Sequence, residues 1–131
     1  MVSNEIIIKI LLESSQLLQR KGWNKHAMAR NENGDKCGPD SSEAACYCLS
    51  GALVRAWRTI DPKNEDFYFK YFEKKFSEIL MARYNYNRTF TQWNDQVATS
   101  REDVVKLIHT VITSLLVDHT NIEHEVERLS A

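Results

Sequence analysis

The sequence predicts a mainly α fold, four to five helices around a central small-residue helix, with a short β-hairpin near residues 23–37. Three observations carry that prediction. Apolar residues recur at helical spacing in most segments. The stretch from Ala44 to Ala56 is built largely of Ala, Cys, Ser and Gly. Asn33-Gly34-Asp35 interrupts the one region of alternating pattern with residues that accept a positive φ. The 131 residues suit one globular domain spanning 1–131, long enough to bury a core without disulfide or metal.

Ile6, Ile7, Ile10, Leu11, Leu17 and Leu18 share a face opposite Glu13, Gln16 and Arg20, which predicts an amphipathic helix over Asn4–Arg20 stopped at Gly22. From Trp23 to Arg30 residue types alternate, and a hairpin closed by Asn33-Gly34-Asp35 follows. Asp40 or Ser41 then caps a helix over about Ser42–Thr59. Small residues lie on nearly every face of that helix, which places it centrally. Its Gly51, which costs about 1 kcal/mol of helix propensity, implies close packing or a ligand there. Asp61-Pro62 opens an aromatic helix to Tyr84, with Phe69, Phe72, Phe76 and Ile79 as the expected core stripe and Lys70, Lys74 and Lys75 as a basic flank. Residues 85–98 lack helical periodicity and read as a loop. Thr99 and Glu102 form a candidate capping box for a last helix, whose stripe is Val104, Ile108, Val111 and Leu115. The tail from Asp118 is polar and acidic, and reads as a short terminal helix.

A formal net charge of −1 argues against a surface devoted to nucleic acid. The charge is uneven: residues 55–88 are mildly basic and residues 89–131 acidic. No run of about 18 apolar residues is present to span a membrane, and the N-terminus lacks a basic n-region, so neither membrane span nor signal peptide is expected. Cys37, Cys46 and Cys48 are an odd set of thiols, the pattern of a cytoplasmic protein.

Few motifs carry chemistry. With His26, the three cysteines could compose a zinc set, but on a helix Cys46 and Cys48 would point about 200° apart, so no metal is expected. A thiol triad of Cys48, a histidine and Asp95 is disfavoured because Cys48 falls mid-helix, away from a helix N-terminus that would activate it. His119 and His124 are five apart, off metal-binding spacing, and His109 sits at the core edge. Glycines at 22, 34, 38 and 51 form no phosphate-binding loop, and no cofactor is expected. Arg83-Tyr84-Asn85-Tyr86-Asn87-Arg88 interleaves cations with aromatics as single-strand binders do, though briefly. Trp23, His26 and Trp93-Asn94-Asp95 combine aromatic walls with polar anchors in irregular segments, the composition of a small pocket.

Gly22-Trp23 after the first helix, Cys48-Leu49-Ser50-Gly51-Ala52-Leu53, and Trp93-Asn94-Asp95 before a helix beginning near Arg101 occur in this order. In this the chain resembles an uncharacterised family of small bacterial and phage proteins, a domain of unknown function, over about residues 5–115. The resemblance implies no activity and transfers no catalytic residue. It does join Gly22, Trp23, Cys48, Gly51, Trp93, Asn94 and Asp95 into one constellation, functional or architectural. The aromatic helix at 67–76 and the acidic tail lie outside it.

The expectation is a non-catalytic cytoplasmic binding or regulatory module for a small molecule or protein. Its site is expected between the 22–38 segment and the 85–98 loop, using Trp23, His26, Cys48, Trp93, Asn94 and Asp95. One alternative is a small hydrolase or transferase pairing Asp95 with His26 or Cys48. Another is a phage-type effector directed at nucleic acid through the basic 55–88 stretch. The Val104–Leu116 stripe is broad enough to allow a homodimer.

Overall fold

A computed structural model describes the backbone of residues 2–130 and the side chains of residues 2–117. Its elements are α1 (Asn4–Arg20), β1 (Ala29–Arg30), β2 (Lys36–Cys37), β3 (Cys46–Tyr47), α2 (Leu49–Ile60), a 3-10 turn (Pro62–Asn64), α3 (Glu65–Tyr84), α4 (Phe90–Gln96) and α5 (Arg101–Ser130). Mainly α is the right class. The expected hairpin is present as β1–β2, and β3 adds to β1 to give a three-stranded antiparallel sheet of order β2-β1-β3. Ala29 faces Cys37 on one side and Tyr47 on the other.

Ser3 caps α1 by accepting from the Ile6 N–H, and the buried stripe Ile7, Ile10, Leu11, Leu17 and Leu18 is the one its periodicity predicts. α1 lies against both α2 and α5. Close approach to α2 is allowed by Ala52 and Ala56, both fully buried. The buried Ser14 hydroxyl donates to the Ile10 carbonyl at 2.8 Å. The small-residue helix is therefore central, touching α1, α3, α4 and β3.

That helix begins at Leu49, not near Ser42. The segment before it is drawn out by hydrogen bonds to the rest of the chain: Ala45 N–H to the Arg30 carbonyl, Tyr47 N–H to Gly22, and Cys48 N–H to Met28. Tertiary pairing overrides the helix propensity of Ala44-Ala45. Cys48 is consequently the N-cap of α2, its sulfur accepting from the Gly51 N–H at 3.3 Å, and not a mid-helix residue.

Three further expectations shift. In α3 the buried residues are Tyr68, Phe72, Phe76 and Leu80, an i, i+4 row, while Phe69 is 59% exposed. Trp57 of α2 selects that row by stacking on Phe72, with ring planes 2° apart, and on Tyr68. Residues 85–98 hold a helix, α4, closed by a capping box of Thr89 and Gln92. The cap of α5 falls one residue later than Thr99–Glu102: Ser100 Oγ accepts from the Asp103 N–H, and the Asp103 carboxylate reaches back to Thr99. The α5 stripe of Val104, Leu107, Ile108, Val111 and Leu115 is buried within the chain itself. The side chains of the acidic tail, including His119 and His124, lie outside the described residues.

Candidate functional site

The three motifs meet at one joint. Gly22 leaves α1 with φ +138 and accepts from the Tyr47 N–H. Trp23 then bridges to Tyr47 alongside β3. Its indole N–H donates to Asn94 Oδ1 at 2.7 Å, and the same oxygen accepts from the N–H of Leu49 at 3.1 Å. That second donor is one of the orphan amides in the first turn of α2. The other end of the Asn94 amide donates to the Asn24 carbonyl at 3.3 Å and to Asp95 Oδ1 at 2.9 Å. Both lone pairs and both N–H groups of a fully buried side chain are therefore used. Two donors converge on one atom, which identifies it as the oxygen.

Asp95 extends the joint outward. Its Oδ1 also accepts from the His26 N–H at 2.9 Å, and its Oδ2 lies 3.6 Å from His26 Nδ1. His26 has φ 66, a left-handed conformation that a non-glycine residue holds only under constraint. The carboxylate on its N–H supplies that constraint. The His26 side chain is 67% exposed, and Lys25 Nζ sits 5.6 Å from the centre of the Trp23 ring.

Gly51 has a backbone reason. A Cβ there would lie 1.8 Å from the Met28 carbonyl oxygen, the group that also accepts from the Cys48 N–H. The expected close packing is therefore against the chain's own backbone. Burial pushes the Cys48 thiol above the usual range, the Gly51 and Ser50 amides oppose this, and the nearby Asp95 charge adds to it. Although capping α2, Cys48 is a buried neutral thiol, a poor nucleophile. Burial likewise raises the Cys46 thiol. The helical separation of Cys46 from Cys48 does not apply, since Cys46 lies in β3. Among the described residues no group of three or more His, Cys, Asp or Glu is placed to hold a metal.

Trp93 parts company with its neighbours. Asn94 and Asp95 face the 22–28 segment, whereas Trp93 lines a cleft of about 230 Å³ with Tyr84, Val97, Ala98, Asp103 and Lys106. Its ring lies 6.0 Å from that of Tyr84. Trp93 is only 3% exposed, and its indole N–H has no hydrogen-bond acceptor among the described residues. The other two indoles are satisfied, Trp23 by Asn94 and Trp57 by Glu65 at 2.6 Å. Of the six residues expected to form one site, five thus compose or border the joint and the sixth opens on the far face of α4.

Sequence reasoning missed Asn24, Tyr84 and Lys106 as neighbours of these residues. Asn24 donates to the Ala27 carbonyl at 2.7 Å and keeps the 24–27 turn closed. No short-range signal marks Tyr84 or Lys106, which reach the cleft from different helices. The Thr89–Gln92 pair is a readable capping signature, and it would have revealed α4. His109 sits at the edge of the α1–α5 contact, its Nε2 3.1 Å from the Ser15 hydroxyl.

Among the described residues, no helix is long and apolar enough to cross a membrane. No curated protein and no solved structure matches the chain. Its sequence matches a family of unknown function (DUF6197) over residues 3–114, an interval containing the whole joint and every residue of the cleft, and the chain belongs to that family.

Proposed function

We propose that this chain is a non-catalytic binding module of the cytoplasm, which holds a small molecule on the 85–98 segment. The observation supporting this reading is Trp93, a residue lining a cleft between α3, α4 and α5, whose enclosed indole N–H has no acceptor among the described residues. A donor in that state costs about 1–3 kcal/mol, which an acceptor would recover if the cleft wall shifted to let it reach the enclosed N–H. The volume of about 230 Å³ is under the roughly 300 Å³ where drug-sized sites begin, so the occupant is fragment-sized. In this reading α4 divides its duties. Asn94 and Asp95, with Trp23 and His26, hold the helix against the body, Cys48 caps α2 beside them, and Trp93 meets the ligand. The cytoplasmic assignment rests on three cysteines that are all free thiols.

Native mass spectrometry before and after denaturation tests the reading. An added mass of one small molecule, lost on denaturation and absent from Trp93→Phe, supports it. A bare chain whose Trp93 resonance responds to no member of a fragment library overturns it.

One observation favours a second reading, a small hydrolase or transferase: the His26 imidazole lies beside the Asp95 carboxylate, the arrangement that orients a general base. It requires turnover of an activated ester that disappears in His26→Ala, whereas the binding module turns over none.

A further inference from the structure

We infer that the groove between α2 and α3 is a docking surface for a basic segment of another protein, one whose apolar anchor is flanked by lysine or arginine. This groove shares no residue with the Trp93 cleft. Its volume is about 320 Å³, and its apolar lining is Met28, Pro39, Val54, Trp57 and Phe69. Val54 and Trp57 are buried, and the Trp57 indole N–H is fixed by Glu65 Oε2 at 2.6 Å. Phe69 and Met28, by contrast, are left 59% and 37% exposed. Met28 is held rigidly all the same: its carbonyl accepts from the Cys48 N–H at 3.1 Å and packs on Gly51. Pre-formed apolar surface rich in Met, Phe and Trp is the make-up of an interface core.

The surrounding charge selects the partner. Around the axis of α3, Glu65, Asp66 and Glu73 fall within about 60° of Phe69, whereas Lys70 and Lys74 fall about 100° and 140° away. The one cation lining the groove, Arg58, is already held by Asp40 at 2.7 Å and Glu65 at 2.6 Å. Asp66 and Glu73 are exposed and have no ion-pair partner among the described residues. Asp40, Glu65, Asp66 and Glu73 thus outweigh Arg58, and the rim is negative. Such a rim attracts lysine and arginine and repels the phosphates of nucleic acid and anionic lipid. Long cationic side chains also lay their methylenes on apolar surface while their heads reach carboxylates. A ring as exposed as Phe69 is covered by a chain crossing the groove, not by a small molecule seated within it.

The experiment is a titration of the chain, ¹³C-labelled at its methionine methyls, with an end-blocked peptide of two leucines between pairs of lysines. Two control peptides replace the lysines by glutamates or the leucines by serines. The readout is the Met28 methyl resonance, assigned by its absence from Met28→Leu. Met81, 52% exposed beside a different cleft, is the internal control. The basic peptide is expected to move Met28 and leave Met81 in place, with each control peptide binding about tenfold more weakly. Phe69→Ser leaves the buried row of α3 intact and should cost a similar factor. Asp66→Asn combined with Glu73→Gln should weaken binding and flatten its salt dependence. Equal binding of the glutamate peptide overturns the choice of a basic partner. Met81 moving as far as Met28, or binding unchanged in Phe69→Ser, shows general adhesion and overturns the site. A Met28 resonance that none of the three peptides moves overturns the docking surface. One that shifts with chain concentration alone assigns the groove to a second copy and overturns the foreign segment.

Discussion

Asn94 shows what one side chain does when every polar atom is used. Its amide ties the Gly22–Met28 segment, the first turn of α2 and α4 together through four hydrogen bonds. Asn94→Asp keeps the acceptor for Trp23 and Leu49 but sets a second carboxylate oxygen against Asp95 and the Asn24 carbonyl. We expect a loss of about 3 kcal/mol at neutral pH. The loss should shrink in acid, where the introduced carboxyl takes up a proton and regains a donor, as urea denaturation at pH 7 and pH 4 will show. Asn94→Ala, by contrast, leaves two buried donors unpaired at any pH and gives no such recovery. Gly51 is a steric requirement: Gly51→Ala drives a methyl into the Met28 carbonyl. Since neither backbone can retreat without breaking the Cys48–Met28 hydrogen bond, roughly 3 kcal/mol of stability should be lost. The same denaturation curves measure it.

At the scale of elements, the N-termini matter most. Cys48 caps α2, Thr89 and Gln92 close α4, and Ser100 with Asp103 opens α5. The Thr99 N–H and hydroxyl hold the Asp103 carboxyl below its usual range. The folded chain therefore binds a proton at Asp103 less readily than the unfolded chain does. The stability this cap contributes is complete above the unfolded carboxylate value near pH 4, and is lost as pH falls through the lower folded value. Asp103→Asn should remove that part of the acid sensitivity, flattening the dependence of the urea midpoint between about pH 5 and pH 2.5. Asp61 and Glu65 are held low for the same kind of reason, by Tyr68 and by Arg58 respectively, so part of the slope must survive in the variant. α3 illustrates how a neighbour chooses a face. Its sequence is aromatic on more than one side, and the stacking of Trp57 on Tyr68 and Phe72 buries the i, i+4 row and leaves Phe69 outside.

Across the whole molecule, one continuous apolar cluster takes residues from α1, β1, β3, α2, α3, α4 and α5. Such a cluster couples the elements, so circular dichroism and tryptophan fluorescence should report one coincident urea transition. Two separated transitions would show that α3 or α4 unfolds on its own.

The local and periodic part of the fold was legible in the chain alone. The bounds of α1, the mainly α class, the central place of the small-residue helix and the turn at Asn33-Gly34-Asp35 all follow from periodicity, side-chain size and turn chemistry, which act over a few residues. The resemblance to a family of unknown function also held, over residues 3–114. The rest depended on tertiary packing. It drew Ala44–Tyr47 into an extended segment, because amides of Ala45, Tyr47 and Cys48 find carbonyls on Arg30, Gly22 and Met28. It chose the buried face of α3 by what packs there. It also separated Trp93 from Asn94 and Asp95, since consecutive residues on a helix point about 100° apart and meet different neighbours. A motif of adjacent residues therefore states that they matter together in the chain, and only the packing says that one face locks the fold while the other opens a cleft.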